Sequence, residues 1–192
     1  MPVRAGSKAM DLTNQFLIAM PNLTDPNFYR TVTFLCAHNN EGAMGIVINR
    51  PLSLSLGEIL GHMEIPLGDS QVHTMPVCQG GPVQKERGFV IHRPPGSWDA
   101  VLPVGDHVAV ATSRDILAAI ARGEGPDEVV VALGYAGWGA GQLERELAEN
   151  AWLSVPASAD ILFQAPFEKR WEMAVQMLGV DLSRLSGEAG HA

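Results

Sequence analysis

Apolar residues in this chain fall into short runs that are separated by turn-forming residues. Six of these runs predict strands, at residues 17–20, 31–37, 44–48, 74–78, 88–91 and 108–111. Runs of about four to eight apolar or β-branched residues between glycine, proline and asparagine are typical of strands. The early gaps are too short for the crossover helices that parallel strands need. The pattern therefore predicts an α+β fold with a mostly antiparallel or mixed sheet and packed helices.

Three segments carry helix signals instead of strand signals. Ser55 and Glu58 have the spacing of a capping box, which predicts a helix through about Met63. A second helix is expected from a Ser113 cap to a stop at Gly123, and a third over residues 167–178, where apolar side chains recur on one helical face. We expect these helices to pack on the sheet.

A glycine-rich stretch follows the β-branched run Val129–Val131. Its pattern predicts a strand, a glycine-rich turn and then a helix with a leucine stripe. Backbone amides at such a turn can bind an anion. The candidate ligand-binding residues here are Gly137, Trp138, Gly139 and Gly141. The spacing is not that of a dinucleotide fingerprint, and Glu144 and Glu146 would repel phosphate, so close backbone packing is the favoured interpretation.

The segment Gly45–Pro51 is echoed by Gly88–Pro94, in a frame of glycine, apolar residue, Val, Ile, polar residue, Arg and Pro. The echo is either an internal duplication or two strands that end with similar residues, and the second explanation is favoured. If the two strands lie side by side, their ends form a polar lip. Its candidate ligand-binding residues are Asn49, Arg50, His92 and Arg93. Arginine suits carboxylate or phosphate because its donors match two acceptors.

The net charge of −8 argues against direct binding to nucleic acid or to a membrane surface. No apolar run has the length of a signal sequence or of a membrane span, so we expect a cytoplasmic protein. Composition does not change along the chain. We therefore expect one domain over residues 11–185, with disorder at residues 1–10 and a frayed tail at 186–192.

Catalytic and metal-binding motifs give little signal. Cys36 and His38 lie two apart on a predicted strand, where a shared face would allow an activated thiol. A buried, unreactive thiol is the favoured interpretation, for Cys78 as well. The histidines lack the short spacing of metal ligands. We therefore assign no catalytic residue, no metal and no cofactor, and favour a protein that is not an enzyme.

Several blocks together resemble the AlgH/YqgE family of bacterial proteins. They are Phe16–Pro21, Asp25-Pro26-x-Phe28, Cys36-x-His38-Asn39, Glu41–Pro51, Gly80–Val83, and Gly134–Glu144 with Asn150-x-Trp152. The resemblance spans about residues 12 to 180 and implies an AlgH-like sheet that is curled into a pseudo-barrel. The family has no agreed catalytic residues, and its link to transcriptional regulation is a label without a motif in this chain.

These observations favour a cytoplasmic domain that binds a protein partner or a small anionic ligand, with a role in regulation. The alternative is an enzyme that acts on an anionic or phosphorylated small molecule, with arginines as clamps. Direct DNA binding would require a contiguous basic face, and the arginines and lysines of this chain are scattered.

Overall fold

A computed structural model describes residues 11–21, 23, 25–68 and 70–179. The predicted disorder at 1–10, the frayed tail at 186–192 and the domain boundary at 185 lie outside these residues. The strands are β1 Gln15–Ala19, β2 Val32–Asn39, β3 Gly42–Val47, β4 Pro51–Ser55, β5 Pro76–Gln79, β6 Val83–Arg93, β7 Val101–Val104, β8 Val108–Ala111, β9 Glu128–Gly139 and β10 Trp152–Pro156. The helices are α1 Leu56–His62, α2 Arg114–Ala121, α3 Gln142–Ala148 and α4 Arg170–Met177. Short 3-10 segments occupy Ser70–Thr74 and Phe167–Lys169, and a π-helical turn occupies Asp160–Gln164.

The described strands form one sheet in the order β10-β1-β2-β3-β9-β6-β8-β7, and each neighbouring pair on this path is antiparallel. Off this path, β4 pairs antiparallel with β5, which pairs parallel with β9. The sheet curls into a half-barrel with helices packed on it. The predicted α+β class and mostly antiparallel sheet are therefore confirmed.

Strand β9 is the branch point of the sheet. Strand β6 follows one edge of β9, whereas β5 and β3 share the other edge, at residues 131–133 and 136–139. Gly134 lies between these two stretches with a φ of 82°. Val130 and Ala132 face the inside of the half-barrel before this glycine, and Tyr135 faces the inside directly after it. The left-handed backbone at Gly134 therefore changes which side chains point inward.

The inner face of the sheet holds the largest core cluster. Phe16, Phe34, Ile46 and Ile91 contribute from four strands, and α4 covers part of the cluster. The buried Arg170 at the start of α4 donates to the carbonyl oxygens of Ala165 and Ile48, at 3.0 and 2.6 Å. These hydrogen bonds hold α4 against the residue that follows β3.

The outer face of the sheet is covered in two separate places. Helices α1 and α2 pack their apolar faces on β5, β6, β8 and β9. Helix α3 packs Leu143 beside Trp138 and Trp152, against β1 and β2. The sheet is therefore buried on both faces, which is why its strands are apolar runs rather than strict alternations.

The predicted helices are present, with differences at two of their starts. The capping box is formed, because Ser55 Oγ accepts from the Glu58 amide at 3.4 Å while Glu58 Oε2 accepts from the Ser55 amide at 3.1 Å. Ser113 precedes α2 as expected, but its hydroxyl bonds to Ala100 and Asp115 and does not cap the helix. The predicted helix at 167–178 starts as a 3-10 turn, and α4 begins only at Arg170.

The prediction of a glycine-rich turn after Gly134 is wrong. Strand β9 continues through Gly139, because β3 supplies pairing partners for Gly137 and Gly139 in Met44 and Gly42. Only Ala140 and Gly141 form the turn before α3. The favoured interpretation, close backbone packing, holds at Gly134, where a Cβ would lie 2.5 Å from the Gly81 carbonyl oxygen. It is wrong for Gly137, Gly139 and Gly141, where a Cβ would make only ordinary contacts of 3.6 Å or more.

Replacing Gly134 with alanine tests this branch point. The new methyl group would meet the Gly81 backbone in a φ region that side chains rarely adopt, so we expect Gly134→Ala to lower the free energy of unfolding by about 3 kcal/mol. Urea denaturation of both proteins measures the difference. Gly137→Ala is the matched control in the same strand, because its Cβ would have only an ordinary 3.6 Å contact. Equal stability of the two variants would contradict the assignment.

Candidate ligand-binding site

A cavity of about 950 Å³ opens on the side of the half-barrel between β7 and the β3–β9 pair. Met44, Phe89 and Tyr135 of the inner face form its apolar wall. The other side is formed by Val101 and Leu102 of β7, which are 38% and 40% exposed. Because β7 ends the order of paired strands, the cavity lies where the half-barrel is not closed.

Two charged side chains line this cavity. The Arg87 guanidinium lies 5.6 Å from the centre of the Phe89 ring and donates to Gln84 Oε1 at 3.2 Å. None of the carboxylates in the described part of the chain lies within 4.0 Å of Arg87. Asp99 is the one acidic residue of the lining. Arg87 therefore retains N–H donors that can bind an acidic group inside the cavity.

Trp138 belongs to the lining of the cavity, but its ring packs in the outer-face cluster, where it shares a carboxylate with Trp152. Glu146 Oε1 accepts from Trp138 Nε1 at 3.0 Å and from Trp152 Nε1 at 2.9 Å, while its Oε2 accepts from Gln142 at 3.0 Å. Phe28 packs against both indoles. Both tryptophans are buried, and Glu146 fixes the orientation of their rings.

Glu144 of α3 binds His38 at the end of β2. His38 Nδ1 accepts from the Leu12 amide at 3.0 Å, so Nε2 carries the hydrogen and donates to Glu144 Oε2 at 2.9 Å. The hydrogen bond from His38 lowers the pKa of the Glu144 carboxyl group below its usual value of 4.5. The pair joins α3 to the strand that begins the first hairpin of the sheet.

Cys36 and His38 do not form a nucleophile and base. A bulge between Leu35 and Ala37 shifts the alternation of β2, so Cys36 points into the inner core while His38 contacts α3 on the outer face. Burial strongly raises the pKa of the Cys36 thiol, and burial raises the pKa of Cys78 to about 12. Both cysteines are unpaired and buried. These thiols are poor nucleophiles because the thiolate is the reactive form.

The strands that carry the proposed polar lip do not pair with each other, since β3 and β6 both pair with β9. Asn49 accepts from the Val32 amide at 2.9 Å and donates to the Arg30 carbonyl at 3.0 Å. Arg50 donates to the carbonyls of Pro26 and Tyr29, at 2.7 and 2.9 Å. Both side chains therefore hold the loop between β1 and β2.

The other two lip residues also have partners in the fold. His92 is buried, and its ring nitrogens lie 3.0 and 2.8 Å from the carbonyl oxygens of Val90 and Pro95. Arg93 forms an ion pair with Glu128, across the β6–β9 pairing. Of the eight predicted ligand-binding residues, only Gly137 and Trp138 line the large cavity.

Arg87, the most suggestive residue of the cavity, was missed by the sequence analysis. It ends a run of four exposed polar residues, 84–87, which is also what an ordinary solvated surface looks like. The useful signal was its position immediately before the Gly88–Pro94 strand. Alternate side chains of a strand point to the same face, so Arg87 shares the inward face of Phe89 and lies at the cavity.

Among the described residues, no three His, Cys, Asp or Glu side chains are grouped so that they could hold a metal. No described helix has both the length and the apolar character that crossing a bilayer requires.

Sequence and structure comparisons place this half-barrel in a family. The chain matches the DUF179 family, described as AlgH-like, over residues 16–183, and it belongs to that family. A UPF0301 protein of Nitrosococcus oceani is 60% identical over 179 residues, which is 93% of this chain and 96% of the relative. A UPF0301 protein of Thioalkalivibrio sulfidiphilus is 60% identical over 182 residues, 95% of this chain and 97% of that protein. The resemblance inferred from the sequence is therefore confirmed.

Two solved structures share the fold. The solution structure of the AlgH protein from Pseudomonas aeruginosa is 49% identical, with a TM-score of 0.79, and the match covers 95% of this chain and 97% of that one. A crystal structure of a Corynebacterium diphtheriae protein, DIP2367, has a TM-score of 0.66 at 16% identity, over 89% of this chain and 91% of that one. At that low identity the second match supports the fold alone.

Removing the shared carboxylate tests how the tryptophans are held. Glu146→Ala leaves two buried indole N–H groups without their acceptor, so we expect the free energy of unfolding to fall by about 3 kcal/mol. Chemical denaturation followed by circular dichroism measures this loss. Glu149→Ala, at an exposed position just after the same helix, should change stability by less than about 0.5 kcal/mol. A loss no larger than that of the control would contradict the role of Glu146.

The pair of His38 and Glu144 predicts a pH dependence in acid. Because the folded pKa of Glu144 is lowered, its contribution to stability is present above the unfolded value of 4.5 and is lost as pH falls through the folded pKa. Glu144→Gln should therefore lose less stability than the unmodified chain as pH drops below 4.5. Denaturation midpoints measured across this range, with Glu149→Gln as control, provide the check. Parallel pH profiles for the unmodified chain and Glu144→Gln would exclude this contribution.

Proposed function

We propose that this chain is a cytoplasmic binding domain whose half-barrel cavity takes a small molecule with an aromatic body and an acidic group. One observation carries the proposal: a cavity of about 950 Å³ with aromatic walls is lined by Arg87, which has no carboxylate within 4.0 Å among the described residues. A site of this kind combines apolar contact area with a few polar groups that fix orientation.

The chemistry of the lining supports this ligand class. Phe89 and Tyr135 offer ring faces and edges on which a planar ligand can stack. Arg87 offers a fork of donors that matches a carboxylate or phosphate. The chain carries a net charge of −8, so it repels an acidic ligand at long range. Binding must then depend on the short-range contact with Arg87.

Binding without catalysis is favoured because the lining holds no His or Cys and only one carboxylate, Asp99. The unpaired, buried cysteines support the cytoplasmic location. Val101 and Leu102 are exposed apolar residues that lie both at the cavity and at the end of the sheet. A regulatory role follows if a ligand bound in the cavity changes how much of their surface is exposed. Direct binding to nucleic acid is not part of the proposal.

An NMR screen tests this function with a panel of aromatic carboxylates, nucleotides and sugar phosphates. We expect amide shifts at Met44, Phe89 and Gly137 with the aromatic acids. Arg87→Gln should weaken binding of an aromatic acid about tenfold and change binding of the neutral amide analogue little. Arg122→Gln is the control, because Arg122 is exposed beside Glu124 and does not line the cavity.

A variant that fills the cavity provides a second test of the same proposal. Gly137→Val adds a side chain in strand geometry at a position that lines the cavity, and its Cβ makes only an ordinary contact with Tyr135. We expect this variant to remain folded and to lose the shifts. Gly139→Val, two residues further along β9 and outside the lining, should keep them. A panel without any shift, or shifts that persist in Gly137→Val, would overturn the proposal.

A further inference from the structure

A second cavity, of about 670 Å³, lies on the outer face of the sheet, between α1, α2 and strands β6, β8 and β9. Its walls are mainly aliphatic side chains, and none of its lining residues is Phe, Tyr or Trp. The main contributors are Leu54, Ile59, Met63, Leu117, Val131 and Leu133. Leu54, Ile59, Met63 and Leu133 are only half-buried, so the protein itself leaves part of their apolar surface uncovered.

The space depends on the absence of a side chain at Gly88. A Cβ added there would meet no atom within 4 Å, and the backbone of Gly88 is not in the left-handed region. The corresponding glycine of the echoed segment, Gly45, is different, because its Cβ would lie 2.6 Å from Thr33 Cγ2. Packing therefore requires glycine at position 45 but not at position 88. At position 88 the glycine keeps the cavity open.

Two cationic side chains, Lys85 and Arg114, line the cavity together with one acidic residue, Glu86. The other polar residues of the lining are His62, Thr112 and Ser113. Arg114 donates to the carbonyl oxygens of Met63 and Glu64, at 2.8 and 3.5 Å, which holds its guanidinium beside α1. No carboxylate in the described ranges lies within 4.0 Å of Lys85 or Arg114. This local excess of positive charge contrasts with the net charge of −8 for the chain.

We propose that this second cavity binds an acyl-chain carboxylic acid. Its alkyl chain would cover the half-buried aliphatic residues, and its carboxylate would pair with Arg114 and Lys85. An alkyl chain fits better than a ring because the lining offers no Phe, Tyr or Trp ring. An acid fits better than a neutral lipid because an uncharged head group would leave the cationic side chains without a counter-charge.

This site is distinct from the one in the half-barrel. Successive side chains of β6 point to opposite faces, so Arg87 and Phe89 line the first cavity while Gly88 and Val90 line the second. A valine at Gly88 therefore fills only the outer cavity, and a valine at Gly137 fills only the inner one. Each variant serves as the matched control for the other.

Titration with decanoate, at concentrations below micelle formation and followed by NMR amide shifts, tests the proposal. We expect shifts at Gly88, Leu117 and Val131, and at least about tenfold weaker binding in Gly88→Val with unchanged binding in Gly137→Val. Gly88→Ala provides a smaller step, because its methyl group would touch nothing within 4 Å, and should weaken binding less. The alanine variant keeps the test valid if Gly88→Val does not fold.

The role of the charges is tested with the alcohol of the same chain. Arg114→Gln and Lys85→Gln should each weaken decanoate binding several-fold and leave decanol binding unchanged. The proposal is overturned if decanoate causes no shifts, if both glycine variants bind as well as the unmodified chain, or if decanol binds as tightly as decanoate. These outcomes leave the half-barrel site untouched, because that site is read out by Gly137→Val.

Discussion

The close approach of two backbones at the branch of the sheet is the constraint on which the rest of this structure depends. A Cβ on Gly80 would lie 2.4 Å from the Gly134 carbonyl oxygen, and one on Gly81 would lie 2.1 Å from the Tyr135 carbonyl carbon. Without side chains at these positions, Gly80 can link β3 to β9. Its carbonyl oxygen accepts from the Val47 amide, and its amide donates to the Leu133 carbonyl oxygen. The half-barrel cavity and the second cavity on the outer face both lie around this branch point.

The branch also explains how one sheet offers two different environments. Beyond Gly134, β9 keeps one pairing with β6, between Tyr135 and Val83, and pairs with β3, and the inner face opens beside Tyr135 and Gly137. Before Gly134, the outer face of β9 meets the two short helices with Val131 and Leu133. Aromatic residues line the first opening and aliphatic residues line the second. The difference in proposed ligands follows from this difference in lining.

Sequence reasoning was strongest where a local rule decides the outcome. The capping box at Ser55 and Glu58 and the apolar run of β8 were placed correctly because neighbours along the chain determine them. It failed where distant partners decide. Gly137 and Gly139 form a strand because β3 lies beside them. The runs of β4, β7 and β10 contain Ser or Pro and gave too little pattern to be predicted. Asn49 and Arg50 looked like ligand groups, and only the fold shows the carbonyls that they hold.

The position of β9 also has a consequence for the order in which the chain can fold. On the edge away from β2, β3 pairs with residues 136–139 of β9, and β1 pairs with β10 at residues 152–156. During synthesis, the apolar three-stranded unit of β1, β2 and β3 is therefore complete long before β9 and β10, which cover its two edges, have been made. Contacts this distant in sequence slow folding and leave apolar edges open while it proceeds. The N-terminal half of the nascent chain is therefore completed only when β9 has been synthesised. Until then its apolar edges are open to chaperones and to aggregation.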